Sequence, residues 1–346
     1  AYNSAMPYTY QTQTIQNLII GRLQREYILP YHGSVRVNQL GGNLPYTASG
    51  MALWGGKAGL LSRVNPDYPM DWLKPFEIMG FDLQGIIKTD EKFDPRFFVA
   101  YTPPNKTSYE NPLIHFAERQ IPFPQELLNY AADTRRYCSK TDYMPYTFRV
   151  TDIPRPYLEA NAAHICPADY VSHKILPSVL KAGMIQTLSM RATDCYMNVT
   201  FWEDMRNLIA DLSIFMLSED QALKLFQGRS MDLWDIAHVL ASYGPEYIII
   251  NAKDGATWVY DREGNKRFIV PAWPITLADP TGGLNAFDGG FLYNYHESYD
   301  VVHAAVCGNL SMSFCMEGSG PNYLLETLPA LRDARLHALS QQVIYL

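Results

Sequence analysis

The stretch ADPTGGLNAFDGGFL, residues 278–292, decides the reading of this chain. An Asp-Pro-Thr run meets a glycine pair, Gly282-Gly283, and then a segment of helical character from Ala286 onward. A glycine-rich turn that opens a helix brings backbone amides to one point, which is the chemistry of an anion cradle. Asn285 follows this turn, where a reaction at a bound anion could call on a side chain to take up a proton. An amide at neutral pH cannot do that, because its oxygen is too weakly basic and its nitrogen only donates.

Outward from this stretch, apolar runs alternate with helical ones. HICPAD, MIQTLSM and SIFMLS read as strands, and SHKILPSVLKAG, FWEDMRNLIADL and EDQALKLF as the helices between them. YIIINAKDGATWVYD gives two strands about a turn at Asp254-Gly255, and LNAFDGGFLYNYH a helix. In the first half, LIIG (18–21) is a buried parallel strand, EYILPYHGSVRVNQL a pair of exposed antiparallel strands, LPYTASGMALWGG a helix and KAGLLSRV a strand. Residues 92–116 read as extended, and 134–156 as connection. Repeating units of this length predict an α/β fold with a mostly parallel sheet covered on both faces. The uncharged stretch 1–16 reads as an N-terminal arm, able to add to the edge of a neighbouring subunit.

Composition narrows the function classes. Of the 346 residues, 47% are apolar and 18% charged, enough for a large core under a charge-poor surface on which partners could sit. A formal charge of −7 without any basic block argues against nucleic acid as a partner. No apolar run reaches membrane-spanning length, and five scattered cysteines without a CxxC pair suggest neither a disulfide framework nor a zinc site. The expectation is a cytoplasmic protein with no metal-ligand cluster, and a homo-oligomer.

The Gly41-Gly42-Asn43 turn and DPTGGLNAFDGGFL together resemble the two signature regions of the ribokinase, or PfkB, family of carbohydrate kinases, whose second motif reads approximately D-T-x-G-A-G-D-x-F-x-G-G-F. Further segments follow in the family's order, so the resemblance spans about residues 17–335. It implies a ribokinase-like fold: a twisted, mostly parallel sheet with helices on both faces over 17–340, and a small β lid from about 27–40 and 92–116. It also implies that the catalytic base falls on Asn285 and the anion hole on Gly282, Gly283 and Leu284. Substrate binding falls on Glu26, Gly41, Gly42 and Asn43, and the nucleotide side on Ser218, Gln221 and Gly255.

Several of these positions depart from the family. Asn285 replaces the aspartate, and Leu284 replaces a glycine, where a Cβ restricts positive φ and close backbone approach. Ser218 and Gln221 stand for an N-x-x-E motif, with Glu219 and Asp220 alongside, and Glu26 replaces an aspartate with a residue one methylene longer. Asp288, three residues after Asn285, is rotated by about 60° from it on a helix, and reads as a charge that caps or solvates the first turn. Gly289 and Gly290 read as helix–sheet packing positions. The favoured reading is a catalytically impaired member of the family acting as a binding, structural or self-assembling protein for a sugar or nucleotide ligand. The alternative is an active sugar or nucleoside kinase, which would require ATP and Mg²⁺.

Overall fold

The computed structural model describes residues 14–102, 106–132 and 139–346. Residues 1–13, most of the expected arm, lie outside the described residues. The chain opens with β1 (Asn17–Ile20), β2 (Gln24–Leu29), β3 (Arg36–Gly41), α1 (Asn43–Ala52) and β4 (Gly59–Val64). Next come α2 (Lys74–Ile78), β5 (Asp82–Lys88), β6 (Arg96–Thr102), β7 (Lys106–Ser108) and α3 (Pro112–Glu118). The alternating half runs β8 (Ala162–Ile165), α4 (Tyr170–Lys181), β9 (Thr187–Arg191), α5 (Trp202–Ile209), β10 (Ile214–Ser218), α6 (Glu219–Leu225) and α7 (Leu233–Ala241). It closes with β11 (Tyr247–Asn251), β12 (Thr257–Asp261), β13 (Lys266–Val270), α8 (Gly283–Ser298), α9 (Val301–Met316), α10 (Pro329–Ser340) and β14 (Ile344–Tyr345).

Ten strands form one sheet in the order β14-β13-β12-β11-β10-β9-β8-β1-β4-β5. The pairs from β5 through β11 are parallel, and β12, β13 and β14 are added antiparallel. Both faces are covered, which is why the central strands read as unbroken apolar runs. On β10, Phe215 and Leu217 face a core shared with α4, α5, α6 and α7, whereas Ile214 and Met216 face one shared with α8 and α9. Chain connections leave β1 toward β4 and β5 in one direction and β8 toward β9, β10 and β11 in the other. A crevice must therefore open at the carboxyl ends of β1 and β8.

A separate sheet, β3-β2-β6-β7, is built from the segments expected as a lid. β2 is not exposed as the partial alternation suggested. Tyr27 and Leu29 of β2 pack with Phe98 and Phe116 on one face, and Ile28 packs with Val99 and Tyr101 on the other. Residues 112–116, expected as extended, fall in α3 instead; Pro112 fits the first turn of a helix, where its missing N–H is no loss. Cys195 is disulfide-bonded, against the expectation of no disulfide, while Cys166, Cys307 and Cys315 are free and buried. Spacing along a chain does not report how close two Cα atoms come, and that closeness decides the bond. No described helix is long and apolar enough to cross a membrane.

Helices α1 and α8 touch backbone to backbone. A Cβ on Gly289 would lie 1.8 Å from the Thr47 carbonyl oxygen, and one on Gly50 would lie 2.0 Å from that of Ala286. Gly290 faces Ser311 of α9. These glycines thus serve helix–helix contacts, not the helix–sheet packing expected. Since the obstructing atoms are backbone, they cannot turn aside as a side chain would. Gly289→Ala should lower stability by about 2 kcal/mol or more, read as a lowered denaturation midpoint in urea followed by circular dichroism.

Candidate functional site

The loop into α8 is fixed from three directions. Asp279, fully buried, accepts from the Thr281 N–H at 2.9 Å through Oδ1 and from the Ser319 hydroxyl through Oδ2. The Thr281 and Tyr101 hydroxyls hydrogen bond at 2.9 Å, tying the loop to the small sheet. Gly282 then turns the chain at φ 77°, and its own carbonyl accepts the first helical bond from Ala286 at 2.8 Å. Only glycine suits this turn, because a Cβ would also meet the Tyr46 ring at 2.2 Å. Leu284 lies inside the helix and not at positive φ, so the backbone restriction expected of it does not arise. Its side chain packs on the apolar cluster shared by α8 and α9 and forms part of the cavity wall.

Asn285 occupies the third position of α8, a helix with no acidic residue in its first turn. Its Oδ1 is buried and accepts no hydrogen bond among the described residues. One turn on, Asp288 is fully buried and not the solvated charge that the sequence suggested. Its carboxylate accepts from Arg191 Nε at 2.8 and 2.7 Å and from Arg191 Nη2 at 2.5 Å, while His164 Nε2 lies 3.3 Å from Oδ2. Burial by itself would raise this carboxyl; Arg191 foremost, with His164, outweighs it and holds the group below the ordinary carboxylate range. Arg191 Nη2 also donates to Asn251 Oδ1 at 2.9 Å, so β9, β11 and α8 meet on one guanidinium.

Asn285, Leu284 and Arg191 line a cavity of about 760 Å³ that opens at the crevice beside β1 and β8. The loop after β1 contributes Arg22, the loop after β8 contributes Asp169, and the residues after β9 contribute Asp194 and Cys195. The small sheet and its neighbouring segments close it with Phe97, Tyr109 and Tyr130. The Arg22 guanidinium lies 4.0 Å from the centre of the Tyr146 ring, which also lines the wall. Such volume, with aromatic side chains among many polar ones, suits a single polar, ring-bearing small molecule. Each carboxylate on the wall is engaged: Asp169 accepts from Ser172 and Thr147, Asp94 from Arg96, and Asp194 from the Gln221 amide at 2.8 Å.

The expected site residues separate into two groups. Asn43 lines the cavity and bridges two loops, accepting from the Arg22 N–H at 2.7 Å and donating to the Pro167 carbonyl at 2.7 Å. Gln221 also reaches the wall, but its side chain closes a capping box with Ser218 at the start of α6. Glu219 and Asp220 turn to Lys253, on its N–H and its ammonium group respectively. Gly255 lies in the β11–β12 turn, away from the cavity. Glu26, Gly41 and Gly42 do not line it either. The buried Glu26 carboxylate accepts from the Gly42 N–H at 3.0 Å and the Tyr46 hydroxyl at 2.9 Å, and lies 3.6 Å from Arg36. Sequence reasoning missed Arg191, although a charge ending the apolar run TLSM was a signal, since buried arginines are rare without a partner.

Residues 158–328 match the pfkB family carbohydrate kinase. This region is a PfkB family carbohydrate kinase domain. The chain is 24% identical to a cytidine kinase of Thermococcus kodakarensis over 285 residues, 80% of this chain and 87% of that protein. In fold it resembles the nucleoside kinase of Methanocaldococcus jannaschii (TM-score 0.64, 15% identity, 94% of this chain and 99% of that one). A nucleoside kinase of Burkholderia thailandensis solved with inosine is similar too (TM-score 0.65, 16% identity, 93% and 97%). The ribokinase-like expectation for the fold is thereby met.

Within this PfkB domain, the residues at the N-x-x-E positions, Ser218 and Gln221, do not fit Mg²⁺. Gln221 is an amide spent on Asp194 and the helix cap, and the two neighbouring acids serve Lys253. Among the described residues there is no group of three or more metal-ligating side chains.

Two outcomes follow from the buried charges. Asp288→Asn leaves the Arg191 guanidinium without its counter-charge and should cost about 3–5 kcal/mol of stability, measured by urea denaturation. The Glu26 carboxyl is pushed up from 4.5 to about 7, chiefly by burial. The folded state therefore holds this proton more tightly than the unfolded chain, and Glu26 makes stability fall as pH rises from about 4.5 to about 7. In Glu26→Gln this part of the pH dependence should vanish, as read from denaturation midpoints across that range.

Proposed function

We propose that the chain is a PfkB-fold protein that binds a sugar or nucleoside in the cavity beside α8 and transfers phosphate poorly or not at all. The observation that carries this reading is Asn285, an amide that lines the cavity from the third position of α8. Phosphoryl transfer to a hydroxyl needs a neighbouring acceptor for its proton. Asp288 cannot supply it, since its carboxylate is committed to Arg191 and His164. The carboxylates on the wall are likewise engaged. Aromatic walls and the arginine-stacked Tyr146 support a ring-shaped ligand, by stacking and apolar contact.

A second reading, an active ATP- and Mg²⁺-dependent kinase acting on a nucleoside or sugar, is favoured by the names of the relatives. They are called cytidine and nucleoside kinases, and the alignment with the first covers most of both chains. Turnover separates the two. With Mg-ATP and a panel of nucleosides and sugars, the unaltered chain should show phosphorylation near background, and Asn285→Asp should raise it by about 10²- to 10⁴-fold. Robust transfer by the unaltered chain would establish the second reading instead.

Self-assembly through the uncharged arm belongs to the first reading as well. Removing residues 1–16 should lower the particle mass seen by light scattering, and an unchanged mass would remove the arm from consideration.

A further inference from the structure

Where the small sheet meets the body of the protein, two buried acids face one cation. Glu26 of β2 is 2% exposed, and Asp279, in the loop before α8, is wholly buried. The cation is Arg36 of β3, whose Nη2 lies 3.6 Å from Glu26 Oε2 while Nη1 donates to the Ser319 carbonyl at 3.4 Å. Asp279 accepts at both oxygens, from Thr281 and Ser319, and its charge works against one on Glu26. With both acids ionised the cluster would hold an unmatched negative charge in the interior, which is costly. A proton on Glu26 makes it neutral. The other ionisable groups around Glu26 are Tyr46 of α1, Tyr68 after β4, Tyr101 of β6 and Cys315 of α9. Burial pushes all four upward, so each keeps its proton at neutral pH and Glu26 is the group that titrates.

We infer that the small sheet is a proton-operated lid: with a proton on Glu26 it seals onto α1 and the loop before α8, and loss of that proton releases it and opens the cavity. Glu26 is placed for this, since it reaches across the junction to the Gly42 N–H at 3.0 Å and the Tyr46 hydroxyl at 2.9 Å. Two further ties, Tyr101 to Thr281 and the Tyr31 N–H to the Ala278 carbonyl at 3.0 Å, do not change charge near neutral pH. The same sheet and its neighbouring segments hold Phe97, Tyr109 and Tyr130 on the cavity wall, so lifting it exposes the interior. In the closed state burial foremost raises the Glu26 carboxyl to about 7, against Arg36 and the bonds from Gly42 and Tyr46. Once the sheet lifts, the carboxyl returns to water and to its ordinary 4.5. The closed form therefore holds the proton more tightly, and its advantage is complete below about 4.5, falls as pH rises to about 7 and changes no further above. This is the opening of one sheet while the body stays folded, and it stands whether or not the cavity takes a sugar or nucleoside.

Cys315 supplies the probe. Its thiol is 1% exposed and donates to the Thr281 carbonyl at 3.6 Å, inside the junction. On the same helix, about two turns away, Cys307 is buried beside His303 and reports on the body. The full chain is labelled with a dipyridyl disulfide, a thiol reagent that works at acidic pH, and the label is located by mass spectrometry. The rate at each thiol is divided by its rate in the urea-unfolded chain at the same pH, which leaves the opening equilibrium. For Cys315 this ratio should rise by up to about tenfold per unit between about pH 5 and 7, level off above, and exceed the ratio for Cys307. Glu26→Gln should abolish the rise. Asp279→Asn, which takes away the second negative charge, should move the upper end of the rise to lower pH, and it decides if Glu26→Gln does not fold. A flat ratio for Cys315, a rise that persists in Glu26→Gln, or one unmoved in Asp279→Asn would overturn the inference. Equal ratios for the two thiols at every pH would overturn it as well, because the whole chain would then be unfolding instead of the sheet lifting.

Discussion

The ion pair between Arg191 and Asp288 is the constraint on which the rest of the structure turns. Two fully buried charges can persist only if they meet each other and fill their remaining hydrogen bonds, because removing either from water is costly. Asp288 can therefore sit only where the end of β9 presents Arg191, with His164 of β8 beneath it and Asn251 of β11 beside it. That requirement fixes the rotation and height of α8 over the sheet. Backbone contact with α1 through Gly50 and Gly289 fixes its distance from the neighbouring helix. With the helix held so, Asn285 is brought to the inner wall of the cavity and the first turn of α8 faces the carboxyl ends of the strands.

The cavity itself is a consequence of topology. Connections diverge from β1 and β8, so no helix can cover the ends of these two strands, and the gap is closed by the small sheet instead. That sheet is anchored by interior bonds: Tyr101 to Thr281, and the buried Glu26 to Gly42 and Tyr46. Glu26 lies at the hinge between the sheet and α1, not among the residues of the wall. A carboxylate pushed up to about 7 at such a junction makes the packing of sheet against body sensitive to pH in a range where ordinary carboxylates are silent.

Much of the fold could be read from the order of residues. Period and length separated the strands HICPAD, MIQTLSM and SIFMLS from the helices between them, and those elements stand as β8, β9 and β10. The unbroken apolar runs correctly indicated strands covered on both faces. The motif at 278–292 located the start of α8, and Asn43 and Asn285 line the cavity. Elements with a mixed pattern stay hidden: β5 alternates too little to stand out, and α3 is hidden by the extended look of its neighbours.

The sequence alone determined that no carboxylate stands at position 285, because residue identity needs no coordinates. It determined the helix-opening glycine as well, since few other residues accept the turn at 282. Only the tertiary structure decided what the neighbouring charges do. Asp288, Arg191 and His164 are separated by up to 124 residues yet share one buried contact, and nothing in their spacing distinguishes a solvated acid from a paired one. The same holds for Glu26, Gln221 and the two acids beside it: each was read by position, and each is engaged by partners that folding supplied. Charge and type are properties of the residue, whereas availability for chemistry is a property of what surrounds it.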